Sequence, residues 1–192
     1  ENNLFEKERS YYFGILNDEI AELTRMVDEA IQLSRLQSGQ MEMKFDAYPL
    51  DELVTSALAP FTETLQRDGF TLETRLSDAE IWADGLRIKQ VLTNLISNAI
   101  KYSGPSKEIS IFSESSGDEV IVWVVNRGNI SPDDLKRIWE RYYRASDHQQ
   151  THLPSEGIGL DIVREILQLH GSQFGVEQKD EAIRFFFTLK VK

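Results

Sequence analysis

Residues 84–103, DGLRIKQVLTNLISNAIKYS, decide the fold of this chain because they carry its clearest helical pattern. With about 100° between successive residues, the apolar side chains fall on one side of a helix: Ile88, Val91, Leu92, Leu95, Ile96 and Ala99. The opposite side carries a narrow polar stripe, which consists of Arg87, Gln90, Asn94, Asn98 and Lys101. The pattern predicts a helix that buries one face and presents a row of amides and cations on the other.

The two asparagines of this stripe are an unusual choice for an apolar helix. Asparagine has a mediocre helix propensity because its amide competes for main-chain partners, so Asn94 and Asn98 are locally unfavourable. A hydrated Mg²⁺ with an attached polyphosphate suits such a stripe, since Mg²⁺ takes one or two protein oxygens and fills its shell with water and phosphate. An ordinary solvated helix face is the alternative.

The composition limits the classes of protein that this chain can be. Its 192 residues suffice for one sizeable core, or for one core and a smaller appendage. A net charge of −11 argues against binding to nucleic acid or to an anionic membrane, but it permits nucleotide binding through a few local cations. The absence of cysteine excludes disulfides and zinc–thiolate sites. No apolar run reaches the roughly 20 residues of a membrane span. Because the sequence starts at Glu1 without Met, we expect an excised fragment.

A long helix is predicted at the N-terminus, over residues 4–36. Its apolar residues recur at spacings of three and four, in the order Phe13, Leu16, Ile20, Leu23, Val27 and Ala30. Such an a/d seam predicts a partner helix, and packing on the chain's own domain is the alternative. Gly39 is expected to end the helix.

The rest of the chain alternates between strand and helix patterns. Strands are predicted at residues 41–47, 70–76, 80–83, 109–114, 120–125, 173–178 and 183–191, the fourth and fifth as an antiparallel pair. Further helices are predicted at residues 50–67 with a break at Pro60, at residues 131–144 with Ser131 as N-cap, and at residues 157–170. Residues 145–156 lack an apolar period and are predicted to form a mobile loop. The fold class is therefore α+β: a two-layer α/β sandwich whose mixed sheet is covered on one face by helices, with a long N-terminal helix.

Three further motifs follow the asparagine helix in chain order. In residues 125–130, VNRGNI, an amide at a strand end could accept a hydrogen bond from an adenine amino group, and Gly128 would allow a close approach; ordinary turn chemistry is the alternative. Residues 138–144, IWERYYR, are expected to anchor a helix end in the core. Gly157 and Gly159 precede an amphipathic helix, whose free N–H groups and dipole favour an anion.

Taken in order, NLISNAIKYS, VNRGNI, IWERYYR and GIGLDIVREILQLHGS resemble the N, G1, F and G2 boxes of the sensor histidine kinase catalytic domain. That domain has the nucleotide-binding fold shared with gyrase, Hsp90 and MutL. The upstream stretch DEIAELTRMVDEAIQLSRLQSGQMEM resembles the second helix of the kinase dimerisation domain. The resemblance covers nearly the whole chain. It implies a partial dimerisation domain at residues 1–39 and an ATP-binding catalytic domain at residues 40–192, with a lid at about 145–156.

The resemblance also implies roles for individual residues towards ATP and Mg²⁺. Asn98 would coordinate the metal, Asn94 would contact the metal or the phosphates, and Lys101 would neutralise phosphate charge. Asn94 and Lys101 are the residues expected to act in catalysis. The remaining residues expected to bind the nucleotide are Tyr102, Asn126, Gly128, Ile130, Tyr143, Gly157, Gly159 and Leu160. The implied reaction transfers the γ-phosphoryl group of ATP to a histidine, for relay to a response regulator.

One position separates a kinase from a hydrolase within this superfamily. The ATP-hydrolysing members of the superfamily that the chain resembles have the pattern E-x-x-x-N in the helix that corresponds to the asparagine helix, and its glutamate activates water. Asn94 occupies that position here, and an amide cannot act as a general base at neutral pH. A phosphotransferase is therefore favoured.

The chain departs from the family pattern around adenine. Asn126 stands where the family usually has aspartate, a second glycine is missing between Gly128 and Ile130, and Ile183 replaces a threonine. We still expect ATP binding, because the amide oxygen of asparagine can accept from the adenine amino group. The alternative is a degenerate kinase-like scaffold with weak or no ATP binding. Asp161, near the start of the last helix, is expected to face solvent.

The family's phosphorylated histidine has no counterpart in this sequence. His148 and His152 lie in the predicted lid, and His170 lies at the end of the last helix. We therefore expect a fragment that does not autophosphorylate alone. Its parent is expected to be a homodimer through its own dimerisation domain and to be anchored in a bacterial membrane, with this part in the cytoplasm. For the fragment itself we expect no nucleic-acid partner and no direct membrane contact.

Overall fold

The computed structural model of the chain describes residues 2–39, 41–140 and 158–192. Six helices and seven strands are defined within those ranges, and two short 3-10 turns, Ala59–Phe61 and Gly104–Ser106, join them. The elements in chain order are α1 (Asn2–Gln37), β1 (Asp46–Pro49), α2 (Leu50–Leu58), α3 (Thr62–Arg67), β2 (Thr71–Arg75), β3 (Glu80–Ala83), α4 (Gly85–Tyr102), β4 (Glu108–Ser116), β5 (Glu119–Arg127), α5 (Pro132–Arg137), α6 (Ile158–Leu169), β6 (Phe174–Lys179) and β7 (Ala182–Lys190).

A five-stranded mixed sheet forms one layer of the molecule. Its strand order is β2-β4-β5-β7-β6, with β2 and β4 parallel and the other neighbours antiparallel. Strands β1 and β3 form a separate antiparallel pair. Side chains alternate along β5, where Val120, Val122 and Val124 are buried and their neighbours are partly exposed. The buried side of the sheet packs against α4, so the predicted two-layer sandwich with a mixed sheet is confirmed.

Helix α4 forms the centre of the helical layer, as its apolar period predicts. All six apolar residues of the predicted face are at most 2% exposed. Each large aliphatic side chain buried in this way contributes roughly 1.5–3 kcal/mol, which fixes the rotation of the helix about its axis. The Asp84 carboxylate caps the helix by accepting a hydrogen bond from the main-chain N–H of Arg87 at 3.1 Å. The polar stripe is thereby held away from the sheet.

Helix α1 confirms the predicted long N-terminal helix, and most of its apolar seam is exposed. Phe13, Leu16, Ile20, Leu23 and Val27 are each more than half exposed. Among the side chains of α1 that the structure describes, only Leu33 and Leu36 in the last turns are buried, and both pack in the core of the chain's own domain. Within residues 2–39, 41–140 and 158–192, no helix combines the length and the apolar character that crossing a bilayer requires.

Two boundaries differ from the sequence prediction by more than two residues. The strand predicted over residues 41–47 begins only at Asp46, because β3 is four residues long and the register Asp46↔Ala83 leaves no partner for residues 41–45. The N–H of Lys44 instead donates to the Asp84 carboxylate at 2.9 Å. The helix predicted over residues 131–144 ends at Arg137. Its predicted start is confirmed, since the Ser131 hydroxyl accepts from the N–H of Asp134 at 3.0 Å. The predicted interruption at Pro60 is also confirmed by the 3-10 turn.

Candidate functional site

The end of β5 carries a buried amide with a fixed orientation. Asn126 is 3% exposed and lies opposite Ile183 of β7, which is also buried. Its Nδ2 group donates to the main-chain oxygen of Tyr102 at 3.0 Å and to that of Arg127 at 3.3 Å. Both amide hydrogens are therefore used, and within the part of the chain that the structure describes Oδ1 has no hydrogen-bond donor. The side chain can only offer an acceptor to a ligand.

Gly128 fits closely against the C-terminal end of α4. A Cβ atom at this position would lie 2.7 Å from the main-chain oxygen of Tyr102, which excludes any side chain. The Gly128 N–H donates to the main-chain oxygen of Glu181 at 3.0 Å. Glycine is thus required here by contacts with the protein itself. The same contacts bring the loop after β5 beside the last turn of α4.

The start of α6 lies against the middle of α4. The Nδ2 group of Asn94 donates to the main-chain oxygen of Gly159 at 3.2 Å. A Cβ atom on Gly159 would project towards Asn94 and lie 3.9 Å from its Cγ atom, an ordinary van der Waals contact, so this glycine packs beside the polar stripe of α4. The first N–H groups of a helix lack intrahelical acceptors and, with the helix dipole, favour an anion.

The polar stripe of α4 connects these two ends. Asn94 and Asn98 are half-buried, whereas Lys101 in the last turn is exposed. Eight residues separate Asn94 from Tyr102, which corresponds to about 12 Å along the helix axis. An elongated ligand that contacts both Asn126 and the start of α6 must therefore lie along this stripe.

The amide oxygens of the stripe are suitable ligands for a magnesium ion with bound phosphate. The Asn98 side chain makes no hydrogen bond to any residue within the described ranges, and Asn94 uses only its nitrogen, so amide oxygens are available at both positions. Mg²⁺ prefers oxygen ligands and retains several waters or phosphate oxygens. Among residues 2–39, 41–140 and 158–192 there is no cluster of three or more His, Cys, Asp or Glu side chains that could hold a metal. A metal at the stripe would thus depend on amide oxygens and on the ligand's own phosphates.

The expectation that Asp161 faces solvent is wrong. Its side chain is 3% exposed and forms an ion pair with Arg164, with 2.8 Å between Oδ1 and Nη2. The Nη1 group of Arg164 also donates to the main-chain oxygen of Trp139 at 2.6 Å. Residues three apart on a helix share a face, so the arginine reaches both groups at once. The carboxylate is neutralised inside the protein and is favoured by the nearby helix start.

The described part of the aromatic motif after α5, residues 138–140, is anchored in the core as predicted. The Trp139 ring meets Phe174 edge-on at a centroid distance of 5.0 Å and Phe185 at 5.9 Å. Ile138, Ile130 and Leu160 are partly buried against the same core. The predicted site residues Tyr143 and Gly157 and the predicted lid at 145–156 lie outside the described residues.

Two polar side chains of the catalytic region were missed by the sequence prediction. Gln178 of β6 hydrogen-bonds to the loop after β5, and only the pairing of β6 with β7 reveals that proximity. His170 joins two helix ends: its Nε2 accepts from the N–H of Asp84 at 3.1 Å, so Nδ1 donates to the main-chain oxygen of Ile166 at 2.8 Å. Burial lowers the pKa of His170 below the ordinary imidazole value, against smaller raising effects of the Ile166 carbonyl and the Asp84 carboxylate.

Comparisons with known proteins agree with this geometry. The family model described as histidine kinase-, DNA gyrase B- and HSP90-like ATPase matches residues 83–192. Sensor protein SrrB of Staphylococcus aureus (strain NCTC 8325 / PS 47) is 26% identical over 168 residues, which are 86% of this chain and 29% of SrrB. This chain therefore spans less than a third of the length of the curated relatives that it matches.

Solved histidine kinase structures share the fold. The nucleotide-free catalytic domain of histidine kinase ThkA is 30% identical with a TM-score of 0.68, over 77% of this chain and 96% of that domain. ThkA in complex with the response regulator protein TrrA is 27% identical with a TM-score of 0.76, over 94% of this chain and 51% of that one. Because the family model covers more than half of the chain and the ThkA domain is matched over almost its full length, the chain belongs to the histidine kinase-, DNA gyrase B- and HSP90-like ATPase family, as a sensor histidine kinase ATP-binding catalytic domain.

Proposed function

We propose that this chain binds Mg-ATP along the polar stripe of α4 and, in its parent protein, transfers the γ-phosphoryl group to a histidine for relay to a response regulator. Adenine would lie at Asn126 and the triphosphate near the start of α6. The observation that carries this proposal is the pair of hydrogen bonds at the two ends of the stripe: Asn126 to Tyr102, and Asn94 to Gly159. They bring the buried Asn126 amide and an anion-favouring helix start beside the same helix.

At the adenine end, Asn126 would identify the base through one acceptor. Its Oδ1 atom is free to accept from an exocyclic amino group, because its Nδ2 is engaged with two main-chain oxygens. The buried Ile183 beside it and the partly buried Ile130 would provide apolar contacts for the ring. Gly128 and Tyr102 would complete the corner. A single correctly placed acceptor favours adenine over guanine, whose equivalent position is itself an acceptor.

At the phosphate end, the chain offers amide oxygens, a cation and a helix start. Asn98 would ligate Mg²⁺ through its amide oxygen, and Asn94 would contact the metal or the phosphates. Lys101 would add a positive charge, while Gly159 and Leu160 would present main-chain N–H groups. When bound, Mg²⁺ supplies charge neutralisation to the phosphates. Tyr143 and Gly157 belong to the same proposed site from outside the described residues.

The reaction class that this site favours is phosphoryl transfer rather than hydrolysis. Asn94 has no basic form at neutral pH, and its nitrogen is engaged with the Gly159 oxygen, so it cannot activate water. We propose that residues 1–39 are part of a dimerisation domain and residues 40–192 the catalytic domain. The exposed seam of α1 supports a helical partner, which in the parent would be its own dimerisation domain in a homodimer. A membrane-anchored parent with this part in the cytoplasm, and a response regulator as partner, belong to the same proposal, which the ThkA–TrrA complex supports by similarity.

Calorimetric titration with ATP, with and without Mg²⁺, tests the binding step. We expect saturable binding that EDTA weakens, and we expect Asn98→Ala to lose the magnesium-dependent part of the affinity while keeping the parent's melting temperature. Asn17→Ala, an equivalent change on the exposed surface of α1, is the control and should bind like the parent. If the parent shows no saturable binding at millimolar nucleotide, the degenerate scaffold alternative is favoured. If Asn98→Ala binds Mg-ATP like the parent, the metal assignment is wrong.

A further inference from the structure

The Gln178 side chain of β6 makes three hydrogen bonds to the loop that follows β5. Its Nε2 group donates to the main-chain oxygen of Gly128 at 3.2 Å and to Oδ1 of Asn129 at 3.2 Å. Its Oε1 atom accepts from the main-chain N–H of Ile130 at 3.0 Å. One amide thus contacts three consecutive residues of the loop.

Strand register places this amide in line with the proposed adenine corner, which consists of Tyr102, Asn126, Gly128, Ile130 and Ile183. Gln178 pairs with Ile183, and Ile183 pairs with Asn126, so the three residues form one row across β6, β7 and β5. Directly paired residues of neighbouring strands project to the same side of a sheet. With about 4.8 Å between strands, Gln178 lies roughly 10 Å from Asn126 on the same face.

The loop itself has few other attachments. Only three residues separate Arg127, the end of β5, from the Ser131 cap of α5. The Gly128 N–H donates to Glu181, and Nη1 of Arg127 donates to the main-chain oxygen of Asp180 at 2.7 Å, which holds the beginning of the loop to the β6–β7 turn. Within the described residues, the Gly128 oxygen and the Ile130 N–H have no main-chain partner. Gln178 supplies both of their hydrogen bonds.

We propose that Gln178 is a positioning residue for the nucleotide site: it fixes the loop over residues 128–130, and with it the distance between Ile130 and Asn126 that sets the width of the adenine corner. This inference rests on the proposed ATP-binding function. The role needs a donor and an acceptor on one side chain, because the loop presents an oxygen and an N–H group. It acts at the adenine end only, since the start of α6 is held separately by Asn94.

The test compares Gln178→Ala, Gln178→Glu and the parent by calorimetric titration with ATP and with ADP. For Gln178→Ala we expect about tenfold weaker binding of both nucleotides, the usual consequence of losing one or two hydrogen bonds, with the ATP-to-ADP affinity ratio unchanged. Thermal melting of each variant in the absence of nucleotide reports whether the fold is retained.

Gln178→Glu gives a readout that a purely structural role would not change. A protonated carboxyl group can donate to the Gly128 oxygen and accept from Ile130, whereas the carboxylate can only accept. We therefore expect its ATP affinity to lie below that of the parent at pH 8 and to recover as the pH falls towards the pKa of the carboxyl group, which is about 4.3 when unperturbed. Gln173→Glu adds the same charge just before β6, at an exposed side chain without a hydrogen bond in the described structure, and should follow the parent at every pH.

Each outcome supports or overturns the inference. Parent-like affinity in Gln178→Ala overturns it, as does a Gln178→Glu profile that parallels Gln173→Glu. If Gln178→Ala does not fold, the pH profile of Gln178→Glu decides. A parent that binds no nucleotide overturns the proposed function and this inference together, whereas a parent that binds ATP beside unaffected Gln178 variants overturns the inference alone.

Discussion

Replacing Asn126 by the aspartate that is usual at this position in the family should destabilise this protein. Asn126 is 3% exposed, and its Nδ2 group donates to the main-chain oxygens of Tyr102 and Arg127. In Asn126→Asp an oxygen would stand in place of that nitrogen, 3.0 Å from the Tyr102 oxygen. Two hydrogen bonds would be lost, and the main-chain oxygens of Tyr102 and Arg127 would face a carboxyl oxygen instead of an N–H group.

The magnitude follows from these contacts. Each lost hydrogen bond costs about 1 kcal/mol, and leaving buried acceptors unpaired adds a further cost, so we expect the free energy of unfolding to fall by roughly 2–4 kcal/mol at pH 8. A protonated carboxyl could donate again to Tyr102. The pKa of the new carboxyl should therefore lie above its value of about 3.9 in the unfolded chain. A group with a raised pKa in the folded state loses stability as the pH rises, so the defect should be smaller at pH 5 than at pH 8.

Urea denaturation of Asn126→Asp and the parent at pH 5 and pH 8 measures this effect. Asn129→Asp is the matched control: it lies three residues along the same chain on an exposed side chain, and its Oδ1 already acts as an acceptor for Gln178. It should change the free energy of unfolding by no more than about 0.5 kcal/mol. Parent-like stability of Asn126→Asp at pH 8 would refute the assigned orientation of the Asn126 amide, and with it the idea that only an acceptor faces the ligand.

The remaining predictions concern two further polar contacts that the sequence did not reveal, the Asp161–Arg164 ion pair and the buried imidazole of His170. Arg164→Ala should lower the free energy of unfolding by about 3–5 kcal/mol in urea denaturation, because it removes the cation that pairs with the buried Asp161 carboxylate. The double variant Asp161→Asn/Arg164→Met should be markedly less harmful, and equal losses would contradict the ion-pair explanation. His170 has a lowered pKa in the folded state, so the unfolded chain binds its proton first and stability should decline as the pH falls through about 6.5. His170→Gln should show a shallower loss of unfolding free energy between pH 7.5 and pH 5, and a slope identical to the parent's would contradict the role of this imidazole.

The sequence predicted those parts of the fold that local chemistry determines. Helix α4 was predicted to within a residue because an apolar period runs along its whole length and Asp84 caps its start. The β4–β5 pair followed from two strand patterns around a turn. In contrast, the alternation over residues 41–45 has no strand beside it, and alternation without a partner does not form a strand.

The missed features of the catalytic region depend on contacts between distant segments. The buried Asp161 pairs with Arg164, which also donates to the Trp139 carbonyl 25 residues earlier in the chain, and no periodicity reports such a contact. Gln178 reaches the loop after β5 only because two strand registers place it in the row of Asn126. The identities of the predicted nucleotide-binding residues remain predictions, although five of them form two contacting groups along α4: Asn94 with Gly159, and Tyr102 with Asn126 and Gly128.

The polar stripe of α4 contacts α1 at its beginning, and we propose that its later part binds the nucleotide. The stripe therefore links the N-terminal helix to the proposed nucleotide site. One turn before Asn94, Gln90 exchanges two amide hydrogen bonds with Gln32 of α1, at 2.5 and 2.8 Å. The stripe therefore contacts α1 at its beginning and is available to a ligand only from Asn94 onwards. A shift of α1 relative to α4 must break or move this amide pair, which is four residues, and thus about 6 Å along the axis, from the first proposed phosphate contact. Helix α4, which we propose to orient the nucleotide, is in this way connected to the helix whose apolar seam is exposed.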